Sequence, residues 1–210
     1  IIDLSNSKGS LGIHAGRTLL KSDGIVTVGD ESAGIRGDDA LIEINNASAE
    51  IKIGNKSIGV ILENFGRSTV GSSVGYFDGR NGKININGTG SVAYYVDDSI
   101  LNSGTSGNQY FNDNLTITDN GNSYTYIFAK NGSILNYDSS LTSAGATPKQ
   151  IQTDNSVFIN ALDSTVNLGT GNKIESSKNN VIGVYLKDAT GKSATNKGTI
   201  TLTGDKSVAL

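Results

Sequence analysis

The chain has no cysteine, no methionine and no tryptophan, and it carries one proline and one histidine. Without cysteine there are no disulfide staples and no thiolate metal sites. A single His14 rules out an HExxH pair or any multi-histidine metal centre, and on a strand it reads as an exposed side chain. One histidine with no GxSxG elbow also leaves no Ser-His-Asp triad to argue. A phosphate-binding P-loop is missing, as is the calcium nonapeptide GGxGxDxUx. No apolar run reaches transmembrane length and no signal peptide opens the chain, so direct membrane insertion is not expected. The net charge is −3 and no Lys/Arg stripe appears, which argues against nucleic acid. No window of a dozen residues shows a 3.6-residue apolar period. With Ile1 first and no methionine anywhere, the 210 residues read as an excised segment.

What is present is glycine, 27 residues of it, with abundant Asn, Ser, Thr, Ile and Val, a composition that favours turns and strands. Two short phrases recur. The first is strand-like: GIVTVG (24–29), AEIKIG (49–54), GRSTVG (66–71), GKINING (82–88) and GTITLTG (198–204), with looser copies NLTITDNG (114–121) and STVNLG (164–169). The second follows each within a few residues: SLGI (10–13), SAGI (32–35), SIGV (57–60), SVGY (73–76), SVAY (91–94), SYTY (123–126), SVFI (156–159), VIGV (181–184) and SVAL (207–210). The steps run from 16 to 33 residues and average about 25, within the range of solenoid repeats. One such unit cannot bury both faces, so its neighbours must stack on it. The expected fold is therefore all-β: a right-handed parallel β-helix, or solenoid, of about eight coils. Irregular loops are expected near 102–122 and 138–155. Residues 1–210 form a single unit cut within the solenoid at both ends, with uncapped end coils that tend to associate.

Alternation along the second phrase assigns faces. His14, Arg36, Ile61, Phe77, Tyr95, Ile127, Asn160 and Tyr185 fall two residues after its small position, a mixed set that reads as an outward row beside a ladder of Ser and Gly. The long steps between Ser91 and Ser156 require extra chain at 102–114 and 137–150. Eight of the thirteen aromatics lie between Tyr94 and Tyr137. Loops on a rigid scaffold are the usual seat of binding residues. Tyr110, Phe111 and Asp113 are the local candidates for ligand contact, joined by Tyr95 and Tyr126, although alternation turns Tyr126 inward. The competing reading is that these aromatics only fill a larger coil.

The phrases NKGTITLTGDKSVAL, NGKININGTGSVAYYV and IGNKSIGVILEN resemble the passenger repeats of fusobacterial type V autotransporters, the very large outer-membrane adhesins. The resemblance covers nearly the whole chain and is weakest at 102–122 and 138–155. It implies a β-helical passenger on the bacterial surface, held to the outer membrane through a translocator outside these residues. It also implies attachment to host cell-surface receptors or glycans, or to partner bacterial surface proteins. The repeats carry no catalytic or ligand motif.

Parallel β-helices also host polysaccharide lyases and hydrolases, which need converging carboxylates. Asp38-Asp39 and Asp97-Asp98 are adjacent and so face opposite ways on a strand; turn-holding is their simpler role. Asn112-Asp113-Asn114 offers calcium-like donors, and the same turn-holding reading applies. No catalytic residue, metal site or cofactor is expected. Two functions stay open, an adhesin segment that binds directly and a stalk that holds a distal tip. The irregular region around 102–155 favours the first.

Overall fold

A computed structural model describes residues 1–67, 75–142, 148–188 and 190–210. The chain is all-β and its strands pair in parallel. It visits three sides in a recurring order, beginning with β1 (Ile2–Leu4), β2 (Leu11–Gly16) and β3 (Leu19–Lys21). The next pass is β4 (Ile25–Val28), β5 (Ala33–Asp38) and β6 (Leu41–Ile44), followed by β7 (Glu50–Ile53), β8 (Ile58–Glu63) and β9 (Tyr76–Gly79). The middle of the chain supplies β10 (Lys83–Ile86), β11 (Ser91–Asp97), β12 (Ile100–Ser103) and β13 (Tyr110–Asn112). Then come β14 (Thr116–Thr118), β15 (Tyr124–Lys130), β16 (Ile134–Tyr137) and a 3-10 turn at Ser139–Leu141. The last part holds β17 (Lys149–Gln150), β18 (Val157–Leu162), β19 (Thr165–Leu168), β20 (Lys173–Ser176), β21 (Ile182–Lys187), β22 (Ala194–Asn196) and β23 (Thr199–Leu202).

Four parallel sheets result: A (β1-β4-β7-β10-β14), B (β2-β5-β8-β11-β15-β18-β21), C (β3-β6-β9-β13-β12-β16-β19-β22) and D (β17-β20-β23). Each strand pairs with strands of the neighbouring passes, an arrangement consistent with a β-helix or solenoid. Inward rows of aliphatic residues run across the strands, as in Val26, Ile51 and Ile84 of sheet A. Burying such rows is the main stabilising term, about 1.5–3 kcal/mol per large side chain.

Serine closes the turns that enter sheet B. Ser10 N–H donates to Ser32 Oγ at 2.9 Å, Ser32 N–H to Ser57 Oγ at 3.1 Å and Ser57 N–H to Ser91 Oγ at 3.2 Å. These bonds give buried backbone donors a partner that sheet pairing does not reach. The turn from B to C has its own signature: Arg17, Asp39, Asn64, Asp98, Asn131, Asp163 and Asp188 all have φ between 43° and 58°. Asn and Asp tolerate this left-handed region better than other side chains, which accounts for the six Asp and Asn that follow Arg17 in that series. Asp39 and Asp98 are thus turn residues.

The repeat assignment needs three corrections. Ser73 and Val74 lie outside the described residues, and Tyr76 and Phe77 belong to β9 in sheet C, paired with Leu41 and Ile42. Phe77 is fully buried and so leaves the outward row. In β15 the register places Tyr124, not Ser123, opposite Ser91, and Tyr124 N–H donates to Ser156 Oγ at 3.1 Å. That one-residue shift sets Ile127 beside buried Tyr94 and Phe128 beside Tyr95 in the outward row; Tyr126 and Ile127 are both buried, so alternation restarts between them. The remaining members, His14, Arg36, Ile61, Tyr95, Asn160 and Tyr185, do share one row on sheet B, half-buried or exposed. Finally, 102–122 is not only loop, since it contains β13 and β14.

Candidate functional site: a groove over sheet C

Sheet C has eight strands against seven in sheet B because β12 and β13 come from the same pass. Asn102 pairs with Tyr110 and Ser103 with Phe111, so the chain doubles back and runs parallel to itself. The extra strand adds about 4.8 Å to the wall formed by sheet C, along the direction in which the passes stack. Opposite it, pairing between sheets A and D is interrupted: β14 ends one and β17 begins the other. Rings fill the enlarged interior. Phe77, Phe111 and Tyr94 meet at centroid distances of 5.2–5.7 Å, Tyr94 reaches Tyr126 at 5.4 Å, and Tyr126 stacks on Phe158 at 4.9 Å.

This packing decides where the five candidate residues lie. Phe111, Asp113 and Tyr126 are interior, with exposures of 1%, 0% and 4%, and present no surface to a ligand. The Asp113 carboxylate accepts from Tyr126 Oη at 2.5 Å and Tyr137 Oη at 2.8 Å, and Lys149 Nζ lies 3.4 Å away. Burial first, and the Asp113 charge second, hold the Tyr126 and Tyr137 phenols well above their usual pKa. They act as hydrogen-bond donors throughout the physiological range. Tyr95 and Tyr110 are half-buried on outer faces. Tyr95 stacks on Phe128 at 5.4 Å with Lys130 Nζ 5.3 Å from its ring, and Lys130 in turn pairs with Asp97 at 3.1 Å. Tyr110 stacks on Tyr76 at 4.4 Å, and Tyr76 Oη donates to Glu43 at 2.6 Å. That bond is the main reason the Glu43 carboxyl sits below its usual pKa.

The two stretches of extra chain meet beside these rings. A groove of about 460 Å³ runs along the outer face of sheet C, lined by Asn102, Asn136, Asn167, Thr195, Asp138, Leu141 and Lys197 with Tyr137 and Leu168 beneath. Its floor is an amide ladder in which Asn136 Nδ2 donates to Asn102 Oδ1 at 2.8 Å and Asn167 Nδ2 to Asn136 Oδ1 at 2.9 Å. Each amide has a second N–H and a second lone pair by its chemistry, so the floor can both donate and accept. One wall is the 3-10 turn. Asp138 caps it, accepting from Ser140 N–H at 3.0 Å and Ser140 Oγ at 2.7 Å, and its other oxygen accepts from Gly171 N–H at 3.0 Å. Ser139 Oγ accepts from Lys173 N–H at 2.8 Å, which pins the turn to the next pass. Leu141 stands on this wall at 55% exposure. A fixed floor of paired amides beside one apolar side chain and two opposite charges suits a polar ligand with an apolar face.

A second, polar groove of about 550 Å³ crosses sheet D between Gln150, Gln152, Glu175, Lys178, Thr201 and Thr203. Among the described residues no group of three or more His, Cys, Asp or Glu side chains converges on a metal-sized site, and no helix is long and apolar enough to cross a membrane.

The amide ladder was missed at the sequence level, although the signal exists: Asn102, Asn136 and Asn167 recur at 34 and 31 residues, the local repeat length. Comparison with family models, with curated proteins and with solved structures gives no match to the chain.

Proposed function

We propose that these residues are a length of right-handed parallel β-helix, about eight coils long, from the surface-displayed passenger of a bacterial type V autotransporter adhesin. Its role is attachment to host cells or to other bacteria, and it is not catalytic. The outer-membrane anchor and translocator lie elsewhere in the parent protein. The stacked parallel sheets and the passenger-like repeat phrases support the scaffold half of this reading. One observation carries the binding half: Asn102 and Ser103, where the first stretch of extra chain departs, and the capped turn of the second line one walled groove over sheet C. A uniform stalk has no need for an inserted strand, a capped side turn and an amide-floored groove in the same place.

The groove chemistry fits a glycan, whose hydroxyls would take the Asn amides and whose apolar ring face would rest on Leu141. It also fits a polar peptide loop of a protein receptor. The test is saturable binding of the purified, folded chain to human cells and to oral bacteria, with galactose-type sugars as competitors. Saturable binding is the expected result. Competition by sugar assigns glycan recognition, and binding without competition assigns a protein receptor. Absence of binding by the folded chain would make these coils a stalk and overturn the adhesive reading.

A further inference from the structure

Lys149 stands where the fold calls for an aliphatic residue. The inward row of sheet A is Ile2, Val26, Ile51, Ile84 and Ile117, strand by strand. In sheet D the equivalent row is Lys149, Ile174 and Ile200. The lysine side chain, 15% exposed, is directed into the interior at the gap between the two sheets. It meets Asp113, whose side chain is fully buried, with Nζ 3.4 Å from Oδ1 and 3.0 Å from the Asp113 backbone carbonyl oxygen. Asp113 Oδ2 is occupied by the Tyr126 and Tyr137 hydroxyls, whereas Oδ1 accepts no hydrogen bond. The Tyr126 ring lies 5.7 Å from Nζ. An amine and a carboxyl are thus held side by side in the interior, with two donors fixed on one carboxyl oxygen.

We propose that Lys149 and Asp113 join as an intramolecular amide. In the first step the ammonium passes one proton to Oδ1, which frees the amine lone pair. The amine lone pair attacks Cγ and the C–N bond forms. Negative charge that develops on Oδ2 falls on the two phenol hydroxyls already directed at it. Oδ1 then leaves with its proton and a second proton from nitrogen, as water. One ammonium and one carboxylate become one amide and one water, so the step needs no oxidant, reductant or co-reactant. Tyr126 and Tyr137 touch the reacting oxygen and are the catalytic residues of this step.

The product would tie the turn after β13 to β17, a span of 36 residues. It would close the break between sheets A and D, across which no strands pair among the described residues. In a chain without cysteine it would be a covalent brace that needs no oxidising compartment.

Intact-mass spectrometry of the purified, folded chain tests this directly. The expected mass is one water below that of the sequence, and a tryptic digest should yield one branched peptide containing both Asp113 and Lys149, uncleaved after Lys149. Lys149→Arg keeps the charge, cannot form the amide and should restore the full sequence mass. Tyr126→Phe should slow the loss of water, read as a mixture of the two masses in fresh protein. Two results would overturn the proposal: folded wild-type chain at full sequence mass after prolonged incubation, or a loss of water that persists in Lys149→Arg. The second would trace to cyclisation at an Asp-Gly step such as Asp23-Gly24.

Discussion

Residues 2–63 and residues 76–168 are built from the same repeating phrase, yet their interiors follow opposite rules. One inward row of sheet B shows it. In the first region this row is Gly12, Gly34 and Gly59, and sheet A lies so close that a Cβ at Gly12 would come 2.5 Å from Val26 Cγ1 and one at Gly59 3.1 Å from Ile84 Cγ2. In the second region the same row continues as Ala93, Tyr126 and Phe158, all buried. At Gly183 it returns to glycine, where a Cβ would lie 2.9 Å from Ile200 Cγ2. Only the wall opposite has changed: sheet A has ended, sheet D is just beginning, and sheet C carries one strand more. The backbone of sheet B runs on in register through both regions, and side-chain volume absorbs the mismatch. The proposed attachment site follows the same division: the widened region carries the inserted strand, the capped turn and the groove.

Exchanging the two rules should give the largest effect. Gly34→Phe puts a ring where even a Cβ would lie 2.7 Å from Gly59 O, and it should cost about 5 kcal/mol, enough to lose the cooperative urea transition of the folded chain. The converse change, Phe158→Ala, empties the widened region and should cost about 3–4 kcal/mol by urea denaturation, with the β-sheet circular dichroism retained in buffer. Tyr126→Phe keeps the ring and removes one donor to Asp113; a loss of about 1–2 kcal/mol is expected, and a neutral result would show that Tyr137 alone satisfies the carboxylate.

The smallest effect belongs to the surface. Tyr76→Phe removes the bond that lowers the Glu43 pKa. A carboxyl with a lowered folded-state pKa adds stability that is complete above its unfolded value, near pH 4.5, and fades as pH falls through the folded value. The variant should therefore lose about 0.5–1 kcal/mol at pH 7 and come close to wild type only once the pH has fallen below the folded-state value. A pH-independent difference would assign the loss to the stack on Tyr110 instead.

Much of the scaffold was legible because it repeats. The Ser phrase marked sheet B at residues 10, 32, 57, 91, 156 and 207, and alternation placed His14, Arg36, Ile61, Tyr95, Asn160 and Tyr185 on one outer row. Reading failed where local likeness and register part company. SVGY at 73–76 copies the phrase, but its Tyr76 pairs in sheet C. SYTY carries its serine one residue early, which reversed the facing assigned to Ile127. The extra chain at 102–114 was rightly associated with departure from the regular path. That it returns as a parallel strand depends on pairing with β9 and β12, which no local pattern encodes. Phe111 and Asp113 look like loop residues in sequence, and they are buried by contacts with partners up to 36 residues away. Lys149 was invisible as an inward residue because its strand is two residues long and shows no alternation.

The central claim, that the widened region is where this chain attaches, is tested most directly by cell binding of two matched variants. Leu141→Asp places a charge on the exposed groove wall, and Thr27→Asp places the same charge on the outer face of sheet A in the narrow region. Saturable binding by wild type, an at least about tenfold weaker affinity for Leu141→Asp and no change for Thr27→Asp is the predicted result. Equal binding by both folded variants, or none by the wild-type chain, would contradict it.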